Sequence, residues 1–498
     1  MLESALVGVR RGREKLKVGM IGLGCAKNLV DGEIMLGHLA ERGAEITPDL
    51  DRADVVIVNT CGFIEDAKRE SIEAILDVAR AKRRNGAQRL VVSGCMAQRY
   101  AEELSGEIPE IDAFVGLDEL QRVPDAVWGR RGRERIPDQR RALSLYDDAA
   151  PRLISTGGIF AYLKVAEGCD NPCAFCHIPR MRGAFRSRPI ASLVAEARRL
   201  GAAGVRELVL VAQDTTRYGE DLGLGRVGLG RLLEALVAGT EIPWIRFMYA
   251  YPATLDEDIF KLMAREPRLV PYLDIPLQHA SRQVLKAMRR GGDARSYRRL
   301  IARARKTVPG LTVRTTFIVG FPGEGDEEFA ELEAFVDEVG FDHVGVFAYS
   351  HQPENPGAAL GDPVPERVKE RRRRALMRRQ ERISRARHRL LRGQRMLAIV
   401  EGAAPESELL LQGRLRRQAP EVDGRVLFAS GTARAGDIVR VRITKTYAFD
   451  LVAEIEGVLI PAPSVQRLLL PSLPRAARPV PARPAGSGRA RAARAGGA

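Results

Sequence analysis

The chain of 498 residues contains six cysteines, and three of them, Cys169, Cys173 and Cys176, stand within eight residues. They lie in "KVAEGCDNPCAFCHIPRMRG", Lys164 to Gly183, directly after an apolar strand-like run. Three thiolates on one short loop can hold three irons of a cubane 4Fe–4S cluster, leaving the fourth iron open to a small molecule. A zinc site and unrelated buried thiols are the alternatives. Structural zinc requires four ligands, and His177 adjoins Cys176 too closely in sequence to complete the set easily. Pro172 and the shortness of the loop speak against ordinary core packing.

The surroundings predict a mixed α/β chain of several domains. Over 16–130 the runs "KVGMIGLG", "DVVIVNT" and "RLVVSG" read as buried parallel strands, each followed by a helical pattern. The charged stretch "GRRGRERIPDQRR" marks a linker. Over 155–385 six further strand–helix units, from "IFAYLKVA" to "HVGVFAYS", fit an incomplete TIM-type β/α barrel, whose chemistry collects at the C-terminal strand ends. Gln213, Asp214, Tyr249, Gln278, His279, Gly320 and Glu324 fall there. Residues 388–459 switch to short β-like runs expected to form a small five-stranded barrel. The Pro/Ala/Arg/Gly-rich tail, 461–498, has a disordered composition.

The other cysteines, Cys25, Cys61 and Cys95, are 36 and 34 residues apart, and each ends a predicted strand. Parallel strands place their C-terminal ends on one edge, so this spacing predicts three thiols brought together. A metal or cluster site and buried small apolar residues are both open readings of that pattern. "GMIGLGCAKN" lacks a complete dinucleotide-binding fingerprint.

The C-x3-C-x-aromatic-C loop, with Phe175 as the aromatic, resembles the radical S-adenosylmethionine superfamily. That resemblance implies that the open iron binds S-adenosylmethionine and that the reduced cluster cleaves it to a 5′-deoxyadenosyl radical. It also implies cofactor contacts from Phe175, from Gln213 at a strand end, and from Gly320, Gly323 and Glu324 in "FIVGFPGE". "GLGCAKNLVDGEIMLGHL", "VNTCGFI" and "SGCMAQRY" resemble the N-terminal domain of methylthiotransferases. In that family Cys25, Cys61 and Cys95 would hold a second 4Fe–4S cluster, and the small C-terminal barrel would be a TRAM domain.

Methylthiotransferases divide between enzymes acting on tRNA adenosines and enzymes acting on a ribosomal protein. "GCAKNLVDGE", "QDTTRYGED", "YLDIPLQHAS" and "RTTFIVGFPGE" are similar to the RimO-type branch. That branch modifies the β-carbon of an aspartate in protein twelve of the small ribosomal subunit. The resemblance implies that the barrel cluster generates the radical and the second cluster carries sulfur. A second S-adenosylmethionine would give the methyl group, and an external one-electron donor is implied. The chain departs from the pattern at "HQPENPGAAL", 351–360, and at Gly32, where Ser is usual. A tRNA adenosine methylthiotransferase is the alternative.

Charge bears on the partner. The chain carries +15, of which 366–395 contributes +11 and 461–498 contributes +7, leaving the rest at −3. Such concentration suits a polyanionic neighbour such as a ribosome, or else a solvated Arg-rich helix. The TRAM-like region, 388–457, holds 11 Arg/Lys against 9 Asp/Glu. Near-neutrality agrees with a protein substrate better than with gripping tRNA. No apolar run has membrane-spanning length and the N-terminus has no secretory pattern, so a cytoplasmic protein is expected.

Overall fold

A computed structural model describes residues 15–85, 88–129 and 145–463. Most of the linker stretch and nearly all of the expected disordered tail lie outside these residues.

The N-terminal domain is a five-stranded parallel sheet. Its order is Glu45–Ile46, Lys17–Gly22, Val55–Thr60, Arg89–Gly94, Ala113–Val115. Val55–Thr60 is buried along its whole length, as a strand with helices on both faces must be. The three cysteines follow three adjacent strands of this sheet. Two glycines let them approach. Gly24 has φ +87°, and a Cβ there would stand 2.8 Å from Cys61 Cβ. Gly94 has φ +89°, with Thr60 O 2.5 Å from a Cβ position.

The six expected barrel strands are all present: Phe160–Lys164, Glu207–Val211, Trp244–Phe247, Tyr272–Asp274, Thr312–Val319 and His343–Ala348. They form two three-stranded parallel sheets in sequential order, joined by a bridge between Ile245 and Leu269. Ala161, Leu163, Leu208, Leu210, Ile245 and Val313 face the surrounding helices. The alternate residues, such as Phe160, Tyr162, Val209, Trp244 and Tyr272, pack with Val30 and Ile34 of the N-terminal domain and Ile399 and Ile438 of the C-terminal one. Both flanking domains therefore close onto the lumen of the partial barrel.

The C-terminal domain is a closed five-stranded barrel, ordered Arg395–Ala404, Ser407–Leu415, Val426–Ser430, Leu451–Ile460, Ile438–Thr446. It is locked to the central barrel by buried charge. Glu207 lies between Arg246 and Arg414, the latter 2.7 Å away, and none of the three side chains exceeds 4% exposure. Tyr272 donates to Asp423 at 2.7 Å. The helix Glu366–Arg389 links the two barrels, from Lys369, which donates to Tyr349 O, to His388, which meets Tyr447 O.

Candidate functional site

The N-terminal thiols converge on one sheet edge. Cys25 is the residue before the helix Ala26–Glu41, Cys61 directly follows its strand, and Cys95 opens the helix Cys95–Glu107. Asn28 braces this edge by donating to Leu23 O at 2.7 Å and Thr60 O at 3.1 Å. Ser71 clamps Cys61 by exchanging hydrogen bonds with its backbone N–H and C=O, each 3.0 Å. Burial pushes the Cys61 thiol up to about 12, with Cys95 and Cys25 adding to the rise. Burial also raises Cys95, partly offset by Arg182. Cys25 is accessible to solvent though densely surrounded; burial raises it, but Lys27 and Arg182 outweigh that and hold it below its usual value.

The second set sits at the barrel rim. Cys169 N–H donates to Gly183 O at 3.1 Å, and Cys176 N–H to Cys173 O at 3.2 Å, which curls the loop back on itself. Asn171 donates to Asp214 at 2.8 Å, tying the loop to the end of the neighbouring strand. Arg290 points a guanidinium N–H at Cys173 Sγ, 3.6 Å away, and stacks over Tyr251 at 4.2 Å. Burial pushes Cys169 up to about 11 and Cys176 up to about 12. His177 is turned aside, its Nδ1 3.3 Å from Glu354 O.

All six cysteines are free thiols. Among the described residues no three His, Cys, Asp or Glu groups converge as ligands of a single metal ion. A cubane places each thiolate on a different iron, so its ligands stand further apart than those of one ion. Two soft thiol triplets, each with an arginine N–H aimed at one sulfur, fit such a cluster chemically.

A buried ionic network joins the edge bearing the N-terminal triplet to the barrel. Arg182 ends the short helix Ile178–Arg182 after the cysteine loop, and its Nη2 donates to Cys95 Sγ at 3.3 Å. Its Nη1 reaches Glu167 at 3.0 Å and Asp31 at 3.1 Å. Lys164 pairs with the same two carboxylates, at 2.6 Å for Glu167. Burial works against the Lys164 ammonium, yet Asp31 and Glu167 raise it above its ordinary value. Gln213 donates to Glu167 at 2.8 Å, while its Oε1 is buried with no partner among the described residues.

The other residues expected to touch S-adenosylmethionine lie close by. Phe175 meets Phe321 edge-to-face at 6.5 Å, and its carbonyl accepts from Asn355. Gly320 abuts the stem of Lys369, and Gly323 faces open space. Glu324 is buried and internally engaged: it accepts from Gly320 N–H at 2.7 Å and Arg372 at 2.9 Å, and lies 3.4 Å from His279. The departing segment 351–360 straps both domains. Glu354 pairs with Arg99 at 2.6 Å, Gln352 accepts from Lys68, and Gly357 N–H donates to Ala174 O. A Cβ at Gly32 would stand 3.1 Å from Asn59 Nδ2 and Met20 Sδ.

Sequence reasoning missed Lys164, Glu167, Arg182, Asp31 and Arg290. One signal was available: Lys164 is a charge in a strand otherwise suited to burial on both faces. Tyr249 and Gln278, already noted at strand ends, adopt φ +62° and +71°, a conformation rare outside glycine that concentrates at functional rims.

Comparison with known proteins fits this layout. The family described as "Uncharacterized protein family UPF0004" matches residues 17–116, the Radical SAM superfamily 163–336, and the TRAM domain 393–455. A ribosomal protein uS12 methylthiotransferase RimO of Trichlorobacter lovleyi is 49% identical over 442 residues, 89% of this chain and 98% of that protein. The chain belongs to the RimO family. A RimO of Anaeromyxobacter sp. (strain K) is 47% identical over 482 residues, 97% of this chain and 98% of its own length. Among solved structures, the radical S-adenosylmethionine methyltransferase TsrM from Kitasatospora setae aligns with a TM-score of 0.51. It is 17% identical and covers 69% of this chain and 77% of its own. That likeness shows the fold. S-adenosylmethionine and 4Fe–4S clusters are the cofactors of this radical family.

Proposed function

We propose that this chain methylthiolates the β-carbon of an aspartate in uS12, protein twelve of the small ribosomal subunit. The observation that carries the reading is the pair of thiol triplets on two docked domains, with Arg182 of the barrel donating to Cys95 and pairing with Asp31 of the N-terminal domain. Relatives named for this activity and spanning nearly the whole chain support the substrate.

Cys169, Cys173 and Cys176 would hold the barrel cluster, and Cys25, Cys61 and Cys95 the second. When bound, the clusters and S-adenosylmethionine supply one-electron reduction, hydrogen abstraction, sulfur and the methyl group. The protein's own part is placement and charge. Arg290 and Arg182 present cationic N–H groups to Cys173 and Cys95, and Arg182 partly offsets the burial that raises Cys95. Asn171 and Asp214 fix the barrel loop. Phe175, Gln213, Gly320, Gly323 and Glu324 are proposed to form the S-adenosylmethionine pocket, Glu324 by fixing the Gly320 turn.

The electron donor is an external one-electron protein. The enzyme works in the cytoplasm; no helix among the described residues is long and apolar enough to cross a membrane. Intact mass of uS12 from cells with and without the gene tests the function. The methylthio increment should vanish with the gene, and an unchanged uS12 mass with altered tRNA would replace this reading.

A further inference from the structure

The helix Glu366–Arg389 divides its charge by face. Inward, Arg372 pairs with Glu324 and Asp326, Arg379 with Glu333 and Asp337, and Arg387 with Asp342. Outward, the exposed arginines are Arg367, Arg371, Arg374, Arg378, Arg382, Arg385 and Arg389. Their spacing of 4, 3, 4, 4, 3 and 4 residues keeps them in one straight row, about 33 Å long at 1.5 Å per residue. Arg374 and Arg385 pair with Glu370 and Glu381. Arg367, Arg378, Arg382 and Arg389 have no acidic partner among the described residues, and Arg371 makes no ion pair, only a weaker attraction to Asp326. Two open grooves run along the same row, one lined by Arg367, Arg371, Arg374 and Arg378 with Glu370, the other by Arg378, Arg382 and Arg385 with Glu333 and Glu381.

The row starts at the catalytic rim, where Arg372 holds the Glu324 turn, and ends beside the TRAM barrel at His388. We propose that it docks on the phosphate backbone of double-helical RNA, holding ribosomal RNA while the cysteine-bearing rim meets the protein substrate. The ribosomal source of that RNA rests on the function proposed above. Guanidinium forks suit phosphate oxygens, and a single-sign row suits a rod of regularly spaced charge. A membrane surface would require large apolar side chains along the face, and unpaired bases would require aromatic platforms. No large hydrophobic residue is exposed between Glu366 and Arg389.

The test uses the full chain and a blunt RNA duplex two helical turns long, titrated across a salt series. Wild type should bind with a steep salt dependence. Arg371→Gln/Arg378→Gln/Arg382→Gln should lower the slope of log K against log salt by about 2.7, and weaken binding more than tenfold at about 0.1 M salt. An unchanged slope overturns the proposal. So does arginine-dependent binding to phosphatidylserine vesicles or to polyglutamate that matches binding to the duplex. Because the substituted residues are exposed, thermal unfolding should coincide with wild type. Methylthiolation of isolated uS12 separates the two readings. If wild type and variant modify it equally while duplex binding ignores the arginines, docking alone falls. If neither modifies it while duplex binding follows the arginines, the function falls and docking stands.

Discussion

Asp31→Asn tests how the N-terminal domain is held against the barrel. Asp31, Lys164, Glu167 and Arg182 make a neutral group of two acids and two bases, with no side chain above 8% exposure. Asp31 alone comes from the N-terminal domain. Asparagine preserves shape but leaves two buried cations facing only Glu167. Breaking a buried pair by removing one partner costs about 3–5 kcal/mol, because an uncompensated charge stays behind. At about 1.4 kcal/mol per decade, even 3 kcal/mol shifts the docking equilibrium more than a hundredfold.

The assay is urea unfolding of the metal-free chain, with amide exchange followed in the helix Ala26–Glu41. That helix should lose protection before the barrel does. Asp31→Asn/Lys164→Met restores neutrality by leaving Glu167 with Arg182. The double variant should therefore be less destabilised than the sum of the singles, by about 1–3 kcal/mol. Additive effects, or a cost for Asp31→Asn under about 1 kcal/mol, would refute a charge-balanced seam, since surface pairs are worth no more than that.

Three further outcomes are expected. Cys173→Ala should abolish S-adenosylmethionine cleavage and lose roughly half the reconstituted iron, as one of two clusters is lost. The Cys25→Ala/Cys61→Ala/Cys95→Ala variant should retain some cleavage but form no methylthiolated product, as mass spectrometry of both products will read. Glu207→Leu strands Arg246 and should cost about 3–5 kcal/mol, seen as loss of amide protection in the TRAM barrel before the central one. Burial lowers His343 and His388 at the seam between the barrels, so both are neutral in the fold. Their contribution is complete above pH about 6.5 and is lost as pH falls further, by up to about 1.4 kcal/mol per pH unit for each. The urea midpoint should drop between neutral and mildly acidic pH, and His343→Gln/His388→Gln should reduce that drop.

What could be read from the sequence was whatever is written locally. An apolar run followed by a cysteine was enough to place all six thiols at strand ends, because parallel strands share one edge whatever their packing details. The six barrel strands were legible for the same reason. The network linking the two domains was not. Asp31 and Lys164 are 133 residues apart, and Arg182 and Cys95 are 87 apart. No periodicity connects such pairs; only docking of one domain on another does. Glu324 shows the opposite difficulty. Its position in a Gly-Pro segment pointed toward ligand contact, yet its carboxylate is occupied by Arg372 of a helix nearly fifty residues later.

The C-terminal barrel shows how structure sharpens a charge count. By number alone it is nearly neutral, which favours a protein substrate without saying where its arginines point. Arg414 is buried against Glu207, Arg416 donates to Leu269 O, and Arg417 pairs with Asp342. These cations serve the seam with the central barrel and are unavailable to phosphate. The helix Glu366–Arg389 divides differently, because its inward arginines form ion pairs with barrel carboxylates while its outward row pairs only with Glu370 and Glu381 of the helix itself. Among the described residues, the densest run of exposed arginines therefore lies on this linking helix. A polyanion drawn to that row would lie along the linking helix, away from the seam that Arg414, Arg416 and Arg417 occupy.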